Sequence, residues 1–477
     1  MRYSVVLFCL LATISPRYSK TEGLFSRIAK LAAGNKKNSS DGATTDKNGE
    51  SSSLAGIPTA TLSNGEKMPL VGIGVGNMIP DVIPAIVSHG MKADRNIRLI
   101  DTSNVSSNEE LVAQGIVDGT KQLLEKGEIT ATNKVEMHVV TKVWYTHLGY
   151  NRTMIAAKSS LDSLKEAIDH PNVDLKIHLM LHWPRCFGDV SWMNCEEEEE
   201  NLPDEVKRAG PPPHTDPMNA WKESWKALEV LFKDDSNPVA SIGVSNFHLN
   251  DLTELEELAT IQPHVIESNA WSFLYDPMLI EHCHKKGIHM VAYHIMDSII
   301  HKADAAPFAY HHLLLIANDL SKVMKSRGLL GEKEELTPAQ VVLAWLVQHS
   351  ISVAPRTTDL YHLRENSATA IAKIPIMNDR QVQTVAHSVE ALISGEDVTE
   401  DAFVKLTFHA RTKDIFLYWH DPEYGGEIQV AKIAKGEVFE ESSHPGHTFR
   451  VYDSEEKENM EVVTVDGKYG EHKHIEL

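Results

Sequence analysis

Polar side chains recur at the ends of short apolar runs through the middle of the chain. An aspartate closes the run IRLID, a lysine closes HVVTK and a histidine closes HLMLH. Carboxylate, ammonium and imidazole groups are the usual carriers of general acid-base chemistry, provided that the fold brings them together. Later runs also end on polar or aromatic residues, and the full set comprises Asp101, Lys142, His182, Ser245 with Asn246, Tyr293 and Arg356.

The apolar runs have the length and β-branched content of buried strands, and the long spacers between them have helical periodicity. Helical segments include MIAAKSSLDSLKEAI, AWKESWKALEVLF and TPAQVVLAWLVQHS, the last with Thr337 as its N-cap. Eight successive strand-helix units favour an α/β fold of the (β/α)8 type, a TIM barrel, over an open doubly wound sheet. The carboxyl ends of barrel strands line one mouth, so the polar strand ends are predicted to converge there. The predicted strands are 71–75, 97–101, 138–142, 178–182, 241–244, 264–269, 289–293 and 351–355.

A series of short motifs runs through the same part of the chain, from about residue 58 to residue 395. In order they are LSNGEKMPLVGIG, IDTS followed by NEELV, VVTKVW, LMLHWP, SIGVSNF, CHKKGIHMVAY, LTPAQVVLAWLVQHSISVAPRTT and RENS. Together they resemble the aldo-keto reductase family, which reduces carbonyl groups with hydride from a nicotinamide cofactor bound without a Rossmann fold. The resemblance implies a reductase of small carbonyl substrates that uses NADP(H), with NAD(H) as the alternative cofactor.

The resemblance also implies roles for individual residues. Asp101 and Lys142 would form a buried ion pair that lowers the pKa of the catalytic acid, and His182 would orient the carbonyl group. The nicotinamide would be held by Ser245, Asn246, Glu267 and Tyr293. The adenosine end of the cofactor would meet Arg356, Thr357, Glu365 and Asn366.

Four positions depart from the family pattern. The family's proton donor is a tyrosine five positions after the aspartate, where this chain has Ser106. A serine hydroxyl is far less acidic than a phenol and lacks its reach. Glu267 replaces a glutamine, exchanging a donor and acceptor for an acceptor. Gly76 replaces a pocket tryptophan, and His362 replaces a second phosphate-binding arginine, which weakens the case for a strong preference for the phosphorylated cofactor.

Three interpretations of the serine stay open. Tyr145 would be a substitute donor only if it swung in from another strand. Ser106 would otherwise position a water beside Lys142, which predicts a slow or altered reductase. Alternatively, the barrel is a retired enzyme that serves as a nucleotide-binding or adaptor protein.

Beyond residue 398, short alternating runs broken by Gly, Pro and Asp predict a small antiparallel β-sandwich. The segments TFHARTK, LYWHD and IAKGEVFEESSHPGHTFRVYD resemble, in order, the β-domain of the von Hippel-Lindau tumour suppressor. That domain grips a hydroxyproline, and Trp419, Ser443 and His447 match three of its pocket positions, which implies a protein or peptide partner. Val430 and Phe449 replace two aromatic positions, so packing of Trp419 and Phe449 in the sandwich core is the alternative.

Both chain ends carry targeting patterns. Residues 1–19 have an arginine, a short apolar core and small polar residues after it, which predicts a signal peptide rather than a membrane span. Residues 20–57 are rich in Ser, Gly, Asn and Lys and predict a disordered linker. The terminal HIEL resembles the Lys-Asp-Glu-Leu type of signal, which predicts the endoplasmic reticulum lumen. The predicted order is signal peptide 1–19, linker 20–57, barrel 58–395 and β-domain 398–477.

Composition and cysteine usage fit this picture. The net charge of -21, with no long basic face, argues against nucleic acid and anionic lipid as partners. Cys186 and Cys195 flank a short loop and predict a local disulfide, whereas Cys283 predicts a buried thiol. The glutamates at 196–200 predict a solvated loop. Sequons at Asn38, Asn104 and Asn151 predict a glycoprotein, with Asn38 the easiest acceptor.

Overall fold

The computed structural model describes residues 54, 56–188, 190–271, 276–296, 299, 302–398, 404–420, 427–443, 448–465 and 471–477. The predicted signal peptide, nearly all of the predicted linker with Asn38, and His447 lie outside the described residues. By their internal contacts the described residues fall into two compact units. The first comprises residues up to 296 together with Leu313–Ala386, and the second comprises residues from Ile299–His312 and His387–Leu477.

A hairpin and a parallel barrel make up the strands of the first unit. The hairpin pairs β1 (Thr59–Thr61) with β2 (Lys67–Pro69) around the Asn-Gly turn that the sequence indicated. All eight predicted barrel strands are present: β3 (Gly72–Gly74), β4 (Leu99–Asp101), β5 (Val135–Val143), β6 (Val173–Leu181), β7 (Val239–Ser245), β8 (Val265–Asn269), β9 (His289–Tyr293) and β10 (Ser352–Val353). They pair in sequence order, and a parallel bridge from Val71 to Val353 closes the ring. The (β/α)8 prediction is therefore confirmed.

Helices occupy the spacers between the strands. Thr337 caps its helix as predicted, because its hydroxyl accepts from the backbone N–H of Gln340 and the Gln340 side chain accepts from the Thr337 backbone N–H. The helices are α1 (Ile83–Gly90), α2 (Glu109–Glu125), α3 (Tyr150–Ser163), α4 (Lys165–Ile168), α5 (Cys195–Glu200), α6 (Asp204–Arg208), α7 (Ala220–Phe232), α8 (Leu249–Leu258), α9 (Pro277–Lys286), α10 (Pro307–Ser326), α11 (Pro338–Gln348), α12 (Leu360–Glu365), α13 (Ala368–Ala372) and α14 (Asp379–Ser394). Short 3-10 turns lie at Pro80–Val82, Asn104–Ser106, Tyr145–His147 and Pro213–Thr215. No helix among the described residues is both long enough and apolar enough to cross a membrane.

The inside of the barrel is layered. Side chains along a strand alternate between faces, so residues two apart point into the same space. One apolar cluster fills the centre of the barrel and includes two hairpin residues: Leu62, Met68, Leu99, Val140, Met180, Val265 and Val291. Two positions further along the same strands lie the predicted site residues Asp101, Lys142, His182, Glu267 and Tyr293. The apolar cluster therefore supports one layer of polar side chains at the carboxyl ends of the strands.

Two positions before the apolar cluster lies a second polar layer, which the sequence analysis did not anticipate. It contains three histidines on β5, β6 and β9. His138 and His178 are fully buried, and Nδ1 of His138 lies 3.0 Å from Nε2 of His178. His178 in turn hydrogen bonds Ser241, and His289 hydrogen bonds Ser352.

The second unit contains two small sheets packed on a common apolar core. One sheet has the order β14-β11-β17 and the other has the order β13-β12-β15-β16. The strands are β11 (Val404–His409), β12 (Ile415–His420), β13 (Glu427–Ile433), β14 (Val438–Ser443), β15 (Thr448–Tyr452), β16 (Glu461–Thr464) and β17 (His472–Glu476). The predicted sandwich is present, but β11 pairs with β17 in parallel, so it is not wholly antiparallel.

The last residues of the chain belong to this second unit. Residues 474–476 of the terminal HIEL lie within β17, and the backbone N–H of Leu477 donates to the carbonyl of His409 at 2.9 Å. Arg411 donates to the carbonyl of Leu477 at 2.9 Å, and its guanidinium pairs with Glu476. The retention-like tetrapeptide is thus hydrogen-bonded along one edge of a sheet.

Candidate active site

The centre of the strand-end layer is Lys142, which lies between two carboxyl groups. Its ammonium donates to Asp101 on the neighbouring strand β4 and lies 3.0 Å from Oε1 of Glu267 on β8. It also donates to the carbonyl of Thr102 at 3.0 Å. The side chains of Lys142 and Glu267 are only 4% and 3% exposed, so this charge cluster is held away from water. The predicted pair of Asp101 and Lys142 is present, and Glu267 extends it to three groups.

Burial and the neighbouring charges shift the protonation of these groups. Burial lowers the pKa of Lys142, but Asp101 and Glu267 outweigh that effect, and the net pKa lies above its ordinary value. Burial together with the charge of Asp101 raises the pKa of the Glu267 carboxyl to about 8, against the opposing influence of Lys142. One ammonium balances one carboxylate, so the second acid of the cluster keeps its proton at neutral pH.

His182 directly follows β6, and the residue is half-buried. Burial and the positive charge of Lys142 hold its pKa well below the ordinary value, so the imidazole is neutral. Its Nδ1 atom is buried and has no hydrogen-bond partner among the described residues. Oε2 of Glu267 is likewise buried and has no hydrogen-bond partner among the described residues. Two unpartnered polar atoms in one strand-end layer are what a ligand with polar groups would satisfy.

The predicted nicotinamide residues lie together beside this cluster. Tyr293 donates from its hydroxyl to Asn246 Oδ1 at 2.6 Å, and the Asn246 amide donates to the carbonyl of His182 at 3.0 Å. Asn246 has φ 58°, a left-handed conformation that asparagine tolerates better than most residues. Its backbone N–H donates to the carbonyl of Glu267 at 3.0 Å. Ser245 is buried next to it and accepts from the Asn246 amide at 3.1 Å.

Ser106 lies in the 3-10 turn after β4, and its hydroxyl hydrogen bonds that of Ser103 at 2.8 Å. It makes no hydrogen bond to Lys142. A Cβ built on Gly76 would lie 3.7 Å from Ser106 Oγ, so the two small residues face each other. The structure therefore brings Asp101, Lys142, His182 and Glu267 into one layer and leaves Ser106 in a separate hydrogen bond with its own turn.

Tyr145 is not placed to replace the missing phenol. Its hydroxyl donates to Glu198, the residue is 1% exposed, and burial with the adjacent carboxylate raises its pKa far above the ordinary value. The prediction of a solvated glutamate loop is wrong for this part of the insertion. Glu198 also accepts from the Trp144 indole at 2.7 Å, and Glu199 accepts two hydrogen bonds at 2.8 Å from the buried guanidinium of Arg152. These glutamates anchor α5, because Trp144 and Arg152 provide donors to which their carboxylates can hydrogen bond.

The residues predicted for the adenosine end lie around the β10 end and α12. Arg356 is exposed and donates to the carbonyl of Gly76 at 3.2 Å. Thr357 and Asn366 line one small crevice together with Pro355 and Leu363. Glu365 ends α12, and its side chain hydrogen bonds Tyr361. Within this group, Arg356 reaches Gly76, which faces Ser106 and not the charge cluster.

An aromatic wall beside His182 was missed by the sequence analysis. The Trp144 ring packs edge-on against His182 with 4.8 Å between centroids, and Trp192 lies 6.2 Å from Trp144. Trp183 lies 5.6 Å from Trp192. The predicted disulfide between Cys186 and Cys195 is present, with 6.0 Å between Cα atoms, and it closes the loop that carries Trp192. The sequence signal that could have indicated this wall is the pair of cysteines on either side of an aromatic segment.

A groove of about 640 Å³ lies elsewhere, between α1 and α2. Its lining includes Asp81, Gln114, Lys121 and Glu125, and none of its lining residues belongs to the strand-end layer. The site described above therefore rests on its side-chain chemistry and not on the volume of a cavity.

Comparison with known proteins agrees with this geometry. Residues 85–391, more than half of the chain, match the model of the Aldo/keto reductase family. The chain is 26% identical over 309 residues to aldo-keto reductase family 1 member A1 of Mus musculus, covering 64% of this chain and 82% of that protein. It is 27% identical over 317 residues to the NAD(P)H-dependent D-xylose reductase of Kluyveromyces lactis, covering 65% of this chain and 86% of the relative.

Among solved structures, the chain is similar to an aldo-keto reductase of Bombyx mori in complex with NADP. The TM-score is 0.48 at 20% identity, with 72% of this chain and 93% of that chain covered. The family match ends before β11, so it does not include the strands of the second unit. On the extent of that match, this chain belongs to the Aldo/keto reductase family.

Proposed function

We propose that this chain is an NAD(P)H-dependent reductase of small carbonyl compounds. The observation that carries the proposal is the buried group of Asp101, Lys142 and Glu267, with neutral His182 in the same layer. Buried charges cost several kcal/mol to hold, so a cluster of this kind at the strand ends of a barrel is retained for chemistry more often than for stability. Relatives named NAD(P)H-dependent D-xylose reductase and glyoxal reductase support the same reaction class.

The residues at the mouth fit a dihydronicotinamide, which supplies a hydride when it is bound. Ser245, Asn246 and Glu267 present hydroxyl, amide and carboxyl groups to its carboxamide. Tyr293 provides an aromatic face. Arg356, Thr357, Glu365 and Asn366 would hold the adenosine end. A single arginine in this group favours NADP(H), and His362 in place of a second one leaves NAD(H) as the alternative.

The residues of this chain then divide the work of binding and orienting. Neutral His182 has a free ring nitrogen with which to hydrogen bond a carbonyl oxygen. The Lys142 ammonium lowers the energy of negative charge that develops near it. Trp144, Trp183 and Trp192 supply apolar contacts that favour carbonyl compounds with aromatic or aliphatic substituents.

Because Ser106 replaces the family's phenol, we propose a slow or altered reductase. A positioned general acid contributes about a hundred- to ten-thousandfold to rate. The alternative is a retired barrel that binds a nucleotide and acts as an adaptor, with a partner at Trp419, Ser443 and His447. For that surface the packing favours the simpler interpretation, since Phe449 is buried in the sandwich core and Trp419 and Val430 pack against it. Ser443 is buried as well.

The experiment that separates reductase from adaptor uses the full-length protein. NADPH is titrated by quenching of tryptophan fluorescence, and a panel of aldehydes is then offered while nicotinamide absorbance is followed. A reductase consumes NADPH with aldehyde present, and Lys142→Met abolishes that consumption whereas the exposed-site variant Lys158→Met does not. Cofactor binding without turnover on any aldehyde supports the adaptor. Absence of both binding and turnover refutes the proposed function.

We also propose that the protein acts in the lumen of the endoplasmic reticulum. The disulfide between Cys186 and Cys195 suits an oxidising compartment. A receptor that reads the terminal HIEL would first have to separate β17 from β11. The amides of Asn104 and Asn151 both donate to other residues of the fold, which leaves Asn38 as the preferred glycan acceptor. Cell fractionation with glycosidase digestion tests the placement, and a cytosolic protein without a glycan refutes it.

A further inference from the structure

Two departures from the family pattern concern acidic groups. Ser106 removes an acidic phenol, and Glu267 adds a carboxyl group where the family has an amide. Glu267 is 2% exposed and its Oε1 lies 3.0 Å from the Lys142 ammonium. Its Oε2 is buried without a hydrogen-bond partner among the described residues, and the charge of Asp101 acts on its carboxyl. The chain has thus lost an acid at position 106 and gained one, Glu267, in the strand-end layer.

The environment of Glu267 keeps a proton available. Asp101 already balances the charge of Lys142, so ionisation of Glu267 would place a second negative charge in a buried site with one cation. Burial and Asp101 accordingly raise the pKa of Glu267 to about 8. A neutral carboxyl group both donates and accepts hydrogen bonds, so Glu267 also keeps the donor that the sequence analysis regarded as lost with the amide.

We propose that Glu267 is the proton donor for carbonyl reduction in this chain. The inference rests on the proposed function. A dihydronicotinamide held by Ser245, Asn246 and Tyr293 would supply the hydride that bonds to the carbonyl carbon, and it would be oxidised in doing so. The carbonyl oxygen, which receives the electron pair of the C=O π bond, takes the proton of Glu267 and becomes the alcohol hydroxyl. The Glu267 carboxylate that remains is stabilised by the Lys142 ammonium and regains a proton from solvent before the next turnover.

Ser106 does not compete for this role. Its hydroxyl is engaged with Ser103, and an aliphatic hydroxyl holds its proton too tightly to act as an acid near neutral pH. Tyr145 is engaged with Glu198. Tyr293 donates to Asn246, and burial, Glu267 and Asp101 raise its pKa. Oε2 of Glu267 is buried and has no hydrogen-bond partner within the described residues.

The test is Glu267→Gln, which keeps the shape of the side chain and restores the family's amide. NADPH affinity should change by no more than about threefold, because an amide also satisfies the carboxamide. The rate of aldehyde reduction should fall about a hundredfold or more, the usual loss on removing a general acid. The matched control is Glu109→Gln. Glu109 is likewise buried with a raised pKa, but it hydrogen bonds Thr141, which alternates with Lys142 and faces away from the barrel interior.

The pH profile separates an acid from a merely structural residue. The wild-type rate should fall as pH rises through about 8, as the proton of Glu267 is lost, and the small residual rate of Glu267→Gln should lack that decline. A variant that keeps the wild-type rate, or a residual rate with the wild-type pH profile, overturns the role of Glu267 and leaves the proposed function standing. A wild-type protein that binds NADPH and reduces no aldehyde overturns both. Should the variant fold poorly, a wild-type rate that is flat from roughly pH 6 to 9 overturns the inference by itself.

Discussion

Lys142 has a structural as well as a chemical role, because it is the cation that allows two carboxyl groups to be buried. Its side chain is 4% exposed, and it contacts both Asp101 and Glu267. Removing one partner of a buried ionic group costs far more than the group contributes when intact, since the remaining charges are left without compensation. The site residue most easily recognised in the sequence is therefore also one on which folding depends.

We expect Lys142→Met to lower the free energy of unfolding by about 3–5 kcal/mol. The deficit should grow as pH rises, because the buried Glu267 carboxyl must then either ionise without the neighbouring cation or keep its proton while the proton concentration falls. Urea unfolding followed by tryptophan fluorescence at several pH values measures the effect. The exposed pair of Lys158 and Asp162 provides the control, and Lys158→Met should cost less than about 1 kcal/mol. An equal decrease in the free energy of unfolding in the two variants would show that the buried position of Lys142 does not contribute to stability.

At the scale of elements, the loop after β6 depends on its disulfide. Cys195 is the first residue of α5, and the bond to Cys186 closes a loop of sequence separation 9 that holds Trp192 near Trp144 and Trp183. Closing a loop of about this length removes on the order of 3 kcal/mol of chain entropy from the open ensemble. Hydrogen bonds that Glu198 and Glu199 accept from Trp144 and Arg152 hold only the α5 end of the same loop.

We expect Cys186→Ser with Cys195→Ser to raise KM for an aromatic aldehyde several-fold, about the effect of losing one apolar contact, while kcat changes little. The loop supplies binding surface and no part of the charge cluster, which is the reason for that split. Steady-state kinetics measures it. Cys283→Ser is the control, because this buried thiol lies on α9 away from the loop. An unchanged KM would mean that Trp192 does not contact substrate.

The elements that the sequence predicts correctly are those that depend on local signals. Strand positions and the Thr337 cap were predictable because apolar periodicity and capping residues are local signals. The predicted site residues converge because barrel topology fixes where strand ends meet. The grip of Glu198 on Trp144 and Tyr145, and the parallel pairing of β17 with β11, join residues distant in sequence. Nothing local distinguishes those glutamates from a solvated run. The identity of Glu267 was visible, but its protonation depends on burial and on two partners from other strands.

At the scale of the whole molecule, the barrel holds two polar layers separated by an apolar one, and they respond to pH differently. The second polar layer, two positions before the apolar cluster, contains the three histidines. Burial and the neighbouring His138, His289 and His264 hold the pKa of His178 well below its ordinary value. Burial lowers the pKa of His289 to about 4. These rings must stay neutral in the folded barrel, although each would be free to take a proton in the unfolded chain.

The barrel should therefore lose stability at a higher pH than a protein whose acid sensitivity comes from the protonation of carboxylates. A histidine whose folded pKa is depressed contributes stability that is fully present above its unfolded pKa of about 6.5. That stability is lost as pH falls from there toward the folded pKa, because the unfolded state binds more protons across the interval. For His289 the difference between 6.5 and about 4 corresponds to roughly 3 kcal/mol at most.

We expect the midpoint of urea unfolding to fall steeply between roughly pH 6.5 and pH 4, and His178→Gln to flatten that decline because glutamine hydrogen bonds without titrating. Tryptophan fluorescence reports mainly on the barrel, since every tryptophan except Trp419 lies before residue 346. His284→Gln, an exposed position on α9, should keep the wild-type slope. The charged neighbours of the histidine layer are Glu136 and Lys176. Glu136 accepts a hydrogen bond from His138, so loss of Glu136 would also change the slope of the decline with pH. A midpoint that stays constant across this interval, or one that falls equally in His178→Gln, would mean that the acid-sensitive groups lie outside the histidine layer.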